Sequence, residues 1–180
     1  MNNKSIGYFD AKTEFAGLTQ EARKLGLEVD TIWKKLKRTF AQRGRGWLSN
    51  QGWMLISRAF RDIRNNVIEV DTAMTELKKV TQATELQYNQ FLDNAKIRAE
   101  KLGATLVDVV SATSDFARLG FNIGDASILA DTALIYKNVG DDVDDIDTAS
   151  KSIISTMQGF NIEADNSMQI VDKFNEVANN

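Results

Sequence analysis

The chain has 180 residues, enough for one domain with a full core or for two small helical domains. Hydrophobic residues make up 43% of it and charged residues 26%, a composition typical of folded rather than disordered proteins. Cysteine and histidine are both absent, which excludes disulfides, thiolate nucleophiles, imidazole bases and Cys/His zinc sites. Most hydrolase and metalloenzyme templates therefore fail. Two carboxylates that converge in space could still hydrolyse a glycoside, but nothing in the sequence singles out such a pair. We predict no catalytic, cofactor-binding or metal-binding residues, and we do not expect an enzyme.

The net charge of −3 conceals two oppositely charged parts of the chain. Between Arg23 and Arg64 there are eleven Lys or Arg residues and three acids, a balance of +8. From Ala104 to Asn180 there are thirteen acids and four basic residues, a balance of −9. This polarity favours an oriented partner or self-association, and the alternative is a set of separately solvated helix faces. The basic segment 23–64 is also where a helical nucleic-acid-binding module would lie, with three tryptophans available for stacking.

Two stretches carry apolar residues at alternating steps of three and four, the spacing of helices that pack nearly parallel to one another. The first covers residues 15–36 and the second covers residues 53–77, and the glycine-rich joint 43–52 separates them. The two seams are predicted to fold back on each other as a hairpin, or to remain an extended arm that pairs with other copies. The helix-packing or assembly seam consists of Phe15, Leu18, Ala22, Leu25, Val29, Ile32, Leu36, Trp53, Ile56, Phe60, Ile63, Val67, Val70, Met74 and Leu77.

Glycine recurs at near-regular intervals in the second half, and each interval has the length and apolar spacing of one helix. Glycine readily enters the left-handed conformation that closes a helix, and short polar side chains suit the start of the next one. The predicted helix-ending glycines are Gly103, Gly120, Gly140 and Gly159, and the predicted starts are Thr105, Asn122, Asp142 and Asn161. The fold class is therefore predicted to be all-α, with a long N-terminal helical hairpin or arm followed by an array of short antiparallel helices.

Three segments follow from this pattern. They are a basic N-terminal helical arm at 1–45, a long heptad helix within 46–83, and a compact helical region at 84–180. The long helix is expected over about residues 51–80, and Thr84 with Gln87 forms a capping box for the helix after it. The aspartates at 141–147 do not fit a calcium-binding EF-hand loop, because Asp147 and Ile153 occupy the positions that need glycine and glutamate. We expect these aspartates to cap a helix.

Several long sequence stretches in the second half are distinctive. From Val70 they run through DTAMTELKKVTQAT, then ATSDFARLGF, YKNVGDDVDDIDTASKSIISTMQGF and IVDKFNEVANN. Together they resemble the core domain of phage tail tape measure proteins, a phage minor tail protein family. The resemblance is strongest over residues 66–180, weaker over 47–65, and indistinct before that.

The resemblance implies an elongated, mostly helical virion protein that occupies the tail tube, scaffolds its assembly and leaves ahead of the DNA. The implied partners are the tail tube (major tail) protein and a tail assembly chaperone, and the implied location is the virion tail, assembled in the bacterial host cytoplasm. It also implies either a fragment of a longer protein, truncated at its C-terminal end, or a decayed or split prophage copy of the gene. No membrane segment is predicted, because the most apolar run is far too short to span a bilayer. Nucleic acid is the less favoured partner.

Overall fold

The computed structural model describes residues 16–25, 34, 38, 50–140 and 143–178. All regular structure in these residues is helical, which confirms the predicted all-α class, and no strand occurs among them. Residues 16–24 form an N-terminal helical segment. The helices that follow are α1 (Asn50–Val80), α2 (Glu85–Leu102), α3 (Leu106–Arg118), α4 (Ile123–Val139), α5 (Ile146–Phe160) and α6 (Met168–Ala178), with a 3-10 turn at Ala164–Asn166 between the last two.

The chain divides into two compact units, Met1–Glu69 and Val70–Asn180. Helix α1 has 31 residues, which corresponds to about 46 Å, and it starts and ends close to the expected 51–80. The division into segments 1–45, 46–83 and 84–180 stays a prediction.

Side-chain caps explain where α2, α3 and α4 begin. Thr84 and Gln87 form the expected capping box, in which the Gln87 N–H donates to Thr84 Oγ1 at 3.3 Å and the Thr84 N–H donates to Gln87 Oε1 at 2.8 Å. Thr105 and Asp108 make the same reciprocal pair at 3.1 and 3.0 Å. Asn122 Oδ1 accepts from two backbone N–H groups at the start of α4. Each such cap stabilises its helix by about 1 kcal/mol.

The start of α5 differs from the expected one in detail. Asp145 is the N-cap, and its Oδ1 accepts from the Thr148 N–H at 2.8 Å. Asp142, the predicted start, lies outside the described residues. The wider expectation that an aspartate of this cluster caps a helix therefore holds at Asp145.

The predicted helix-ending glycines adopt different conformations. Gly103 and Gly120 have left-handed backbones, with φ of +64° and +96°, directly after α2 and α3. Gly140 also ends a helix, but its backbone is extended, with φ −83° and ψ 128°. Space explains the glycine there, because an added Cβ would lie 2.8 Å from Val143 Cγ2 and 3.0 Å from the Tyr136 carbonyl oxygen.

The prediction that Gly159 ends a helix is wrong. Helix α5 continues through Gly159 to Phe160, and Asn161 adopts the left-handed conformation instead, with φ +53°. The Asn161 N–H donates to the Met157 carbonyl, so this residue closes α5 rather than starting the next helix. Asparagine is able to do so because its short polar side chain lowers the steric cost of a left-handed backbone.

Helix α4 is the centre of the second unit, because it packs against α2, α3, α5, the 3-10 turn and α6. Its buried residues lie on most of its circumference, as expected for a helix enclosed by others. Leu129 of α4, Phe116 of α3 and Ile153 of α5 are fully buried. Each of these side chains contributes about 1.5–3 kcal/mol of hydrophobic stabilisation.

Two contacts hold α6 against α4. The Thr132 and Ser167 hydroxyls form a buried hydrogen bond of 2.8 Å, and the Tyr136 and Phe174 rings lie 5.1 Å apart. The first contact lies just before α6 and the second lies within it, so both ends of the segment 167–174 are held against α4.

Candidate assembly surfaces

The seam of α1 becomes one continuous buried stripe in its second half. Its described members are spaced by three and four residues, so they share one helical face. Phe60 is half-buried. The buried members are Ile63, Val67, Val70, Met74 and Leu77. These side chains are therefore buried within the chain itself.

The N-terminal part of the seam contributes to a small apolar cluster in the first unit. Ala22, Ile63 and Val67 form its buried centre, and the partly buried Leu18 and Leu25 pack against them. Four other predicted seam positions, Phe15, Val29, Ile32 and Leu36, lie outside the described residues, as do the side chains of Trp53 and Ile56.

The opposite face of α1 carries a second set of side chains, here named the outward stripe. It consists of Met54, Arg58, Arg61, Arg64 and Ile68. Met54 is 70% exposed and Ile68 is 50% exposed, and all three arginines are exposed. At 100° per residue Arg58 and Arg61 lie on the side of the helix away from Ile63 and Val67, whereas Arg64 lies at the edge of the outward stripe, about 60° from Val67. Among the described residues no ion pair involves these arginines, so their charge is available to a partner.

A hydrogen-bonded clamp fixes the turn between α1 and α2. The Tyr88 and Thr81 hydroxyls lie 2.8 Å apart, and Tyr88 Oη also donates to the Thr81 carbonyl at 3.1 Å. Lys78 Nζ bonds both Glu85 carboxylate oxygens and lies 5.1 Å from the centre of the Tyr88 ring. Each hydrogen bond of the clamp joins residues seven positions apart across the turn. The apolar spacing that predicts the two helices does not predict these contacts.

The ion pair between Arg98 and Asp131 joins α2 to α4. Arg98 Nε lies 3.3 Å from Asp131 Oδ2, and each side chain is 30% exposed. Burial raises the pKa of Asp131, and the Arg98 charge opposes this shift without cancelling it. The second carboxylate oxygen of Asp131 is buried and has no hydrogen-bond partner. The pair therefore joins α2 to α4, but the burial of the Asp131 carboxylate costs desolvation free energy.

The start of α5 lies within a charge network that includes the end of α3. Arg118 bonds Asp115 at 2.8 Å, and Lys151 bonds Asp147 at 2.6 Å. Burial raises the pKa of Asp115 most, and the neighbouring Asp147 charge raises it further, while Arg118 lowers it. The Thr148 N–H bond to Asp145 has the opposite effect and lowers the pKa of that carboxyl. Within the described residues no cluster of acids has the arrangement of a metal site.

No helix among the described residues is both long and apolar enough to cross a membrane. No known family model matches the chain. No solved structure matches it either.

Proposed function

We propose that the chain is a structural segment of a phage or prophage tail tape measure protein, which scaffolds the tail tube and is released ahead of the DNA. The observation that carries the proposal is α1, a 31-residue helix with a continuous stripe of buried apolar side chains from Ile63 to Leu77. The resemblance of residues 66–180 to the tape measure core domain supports a role for such a helical protein in the tail. Its proposed partners are the tail tube protein and the tail assembly chaperone.

The proposal is tested on tails purified from the bacterium that carries the gene, after induction of its prophage. Peptides from residues 50–178 are quantified by mass spectrometry against the major tail protein in tails, in separated heads and in host cytosol. We expect them in tails, at few copies relative to the tube protein, and depleted once the DNA has been ejected. Peptides found only in heads or in cytosol would refute the assignment.

We further propose that the two seams pack on each other as a hairpin, which fixes the N-terminal arm. The packing of Leu18 and Leu25 against Ala22, Ile63 and Val67 supports it, because these residues come from both predicted seams. In such a hairpin the outward stripe of α1 lies on the exposed side of the helix, where a partner can reach it.

A second candidate function is a helical nucleic-acid-binding module that uses segment 23–64. The exposed arginines at positions 58, 61 and 64 favour it. Titration with duplex DNA at increasing salt tests this function, since each phosphate contact makes the affinity fall more steeply with salt. Binding without a steep salt dependence would contradict it.

A further inference from the structure

The outward stripe of α1 has the composition of a protein interface rather than of a solvated helix face. Two exposed apolar side chains, Met54 and Ile68, flank three exposed arginines, and the rise of the helix from Met54 to Ile68 is about 21 Å. Arginine and methionine are enriched at protein interfaces, where arginine combines ion pairing with apolar contact. We propose that this stripe is the docking surface for the acidic second unit of another copy of the chain, so that copies associate head to tail.

The same stripe on a second copy is excluded as the partner. Two outward stripes packed face to face would bring two sets of three arginines together, whether the helices ran parallel or antiparallel. Like charges placed together at an interface cost several kcal/mol, and only Asp62 and Glu69 lie near the stripe on the same helix to offset them. The occupant must instead present carboxylates.

The second unit of another copy presents such carboxylates. The network at the start of α5 includes Asp115 and Asp147, which pair with Arg118 and Lys151. The exposed Asp144 lies three positions before Asp147, and Lys151 is the only basic residue in the sequence between positions 140 and 160. Leu119, next to this network, is 46% exposed and offers an apolar contact for Met54 or Ile68. Burial and the Asp147 charge raise the pKa of Asp115, so an additional cation would relieve the crowding of negative charge.

An acidic protein surface fits the outward stripe better than nucleic acid does. Phosphates offer no contact for Met54 and Ile68, and the exposed carboxylates of Asp62 and Glu69 lie on the same helix. The balance of −9 over residues 104–180 also repels a polyanion from the chain as a whole.

The proposed contact joins two different surfaces, and its geometry therefore differs from that of a symmetric dimer. After pairing, one copy keeps a free acidic surface and the other keeps a free stripe, so association continues unless the ends meet. Because exposed charges dominate the contact, it should be weak and should respond strongly to salt.

The test is sedimentation of the full chain over a range of concentrations, at about 20 mM and about 500 mM salt, where the Debye lengths are on the order of 20 and 4 Å. We expect concentration-dependent association at low salt that is lost at high salt. The double variant Arg58→Glu/Arg61→Glu should weaken association at low salt about tenfold or more. The control Lys101→Glu/Lys173→Glu has the same net charge change at exposed positions outside the stripe, and it should still associate.

A charge-swap mixture identifies the partner surface. Asp144→Lys/Asp147→Lys should not associate alone, but mixed with Arg58→Glu/Arg61→Glu it should form complexes, because each variant retains one native surface. Circular dichroism checks that each variant is folded, and Arg58→Gln/Arg61→Gln replaces the charge reversal if that variant unfolds. A wild-type chain monomeric at both salts, an equal loss in the lysine control, or a mixture without complexes would each overturn the proposal. Stripe-dependent binding of duplex DNA by a monomeric chain would overturn it in favour of nucleic acid.

Discussion

Replacing Gly159 with alanine should stabilise the protein, whereas replacing Gly103 should destabilise it. Gly159 lies inside α5, and an added Cβ would meet nothing within 4 Å. Alanine in a helix is favoured over glycine by about 0.5–1 kcal/mol, because the unfolded glycine chain has more conformations to lose. Gly103 also has open space around it, but its φ of +64° makes alanine costly by about 1–2 kcal/mol. The free energies of unfolding of the two variants should therefore differ by about 2 kcal/mol.

Urea unfolding followed by circular dichroism measures this difference, and both glycines lie in the same compact unit, Val70–Asn180. At about 2–4 °C per kcal/mol for a chain of this size, the melting temperatures of the variants should separate by about 4–8 °C. If Gly159→Ala destabilises as much as Gly103→Ala, Gly159 ends a helix after all and the assignment of Asn161 is refuted.

Gly140→Ala distinguishes crowding from backbone strain. The φ of −83° is open to alanine, yet the new Cβ would lie 2.8 Å from Val143 Cγ2. Overpacking of this kind costs about 1–3 kcal/mol. The second change Val143→Ala should recover only part of that loss, because the Tyr136 carbonyl oxygen remains 3.0 Å away.

Three further predictions concern packing, charge and the clamp. The double change Phe60→Asp/Ile63→Asp should lower the free energy of unfolding in urea by several kcal/mol, because it puts unpaired carboxylates into the α1 seam. If the wild type is instead a stable trimer that this change dissociates into folded monomers, the hairpin is contradicted. The pKa of Asp131 is raised in the folded state, so the protonated side chain favours folding. This contribution to stability is complete at a pH below the ordinary aspartate pKa, and it is lost as the pH rises through the raised pKa of the folded state. The urea midpoint of Asp131→Asn should therefore increase relative to that of the wild type as the pH rises from about 3 to 7. If the two midpoints follow parallel curves against pH, the raised pKa is contradicted. Tyr88→Phe should cost about 0.5–1.5 kcal/mol in the same assay, and an unchanged midpoint would show that the clamp contributes nothing.

Features set by neighbouring residues were predictable from the sequence. The capping boxes at Thr84 and Thr105 involve side chains three positions apart, and the extent of α1 follows from its apolar spacing and the threonines after it. Such signals act within one helical turn, so no knowledge of the rest of the fold is needed.

Features that depend on packing were not predictable in this way. The sequence GFNI occurs twice, yet Gly120 is left-handed in the first copy and Asn161 in the second. In the second copy Met157 is buried, and its carbonyl accepts from the Ile162 N–H at 3.0 Å, which extends α5 past Gly159. The Arg98–Asp131 pair joins residues 33 positions apart, and helical spacing carries no information about that contact.

The packing of the second unit also has a kinetic consequence. Helices α2 to α5 each contact the helix before or after them, and the connections between them are short, at 103–105, 119–122 and 140–145. Closing such short loops takes on the order of 10–100 ns, and folds built from local contacts form in microseconds to milliseconds. The chain has no proline, so no isomerisation phase of tens of seconds delays it. After it has been unfolded, the second unit should therefore refold on the order of microseconds to milliseconds, with neighbouring helices packing on each other first.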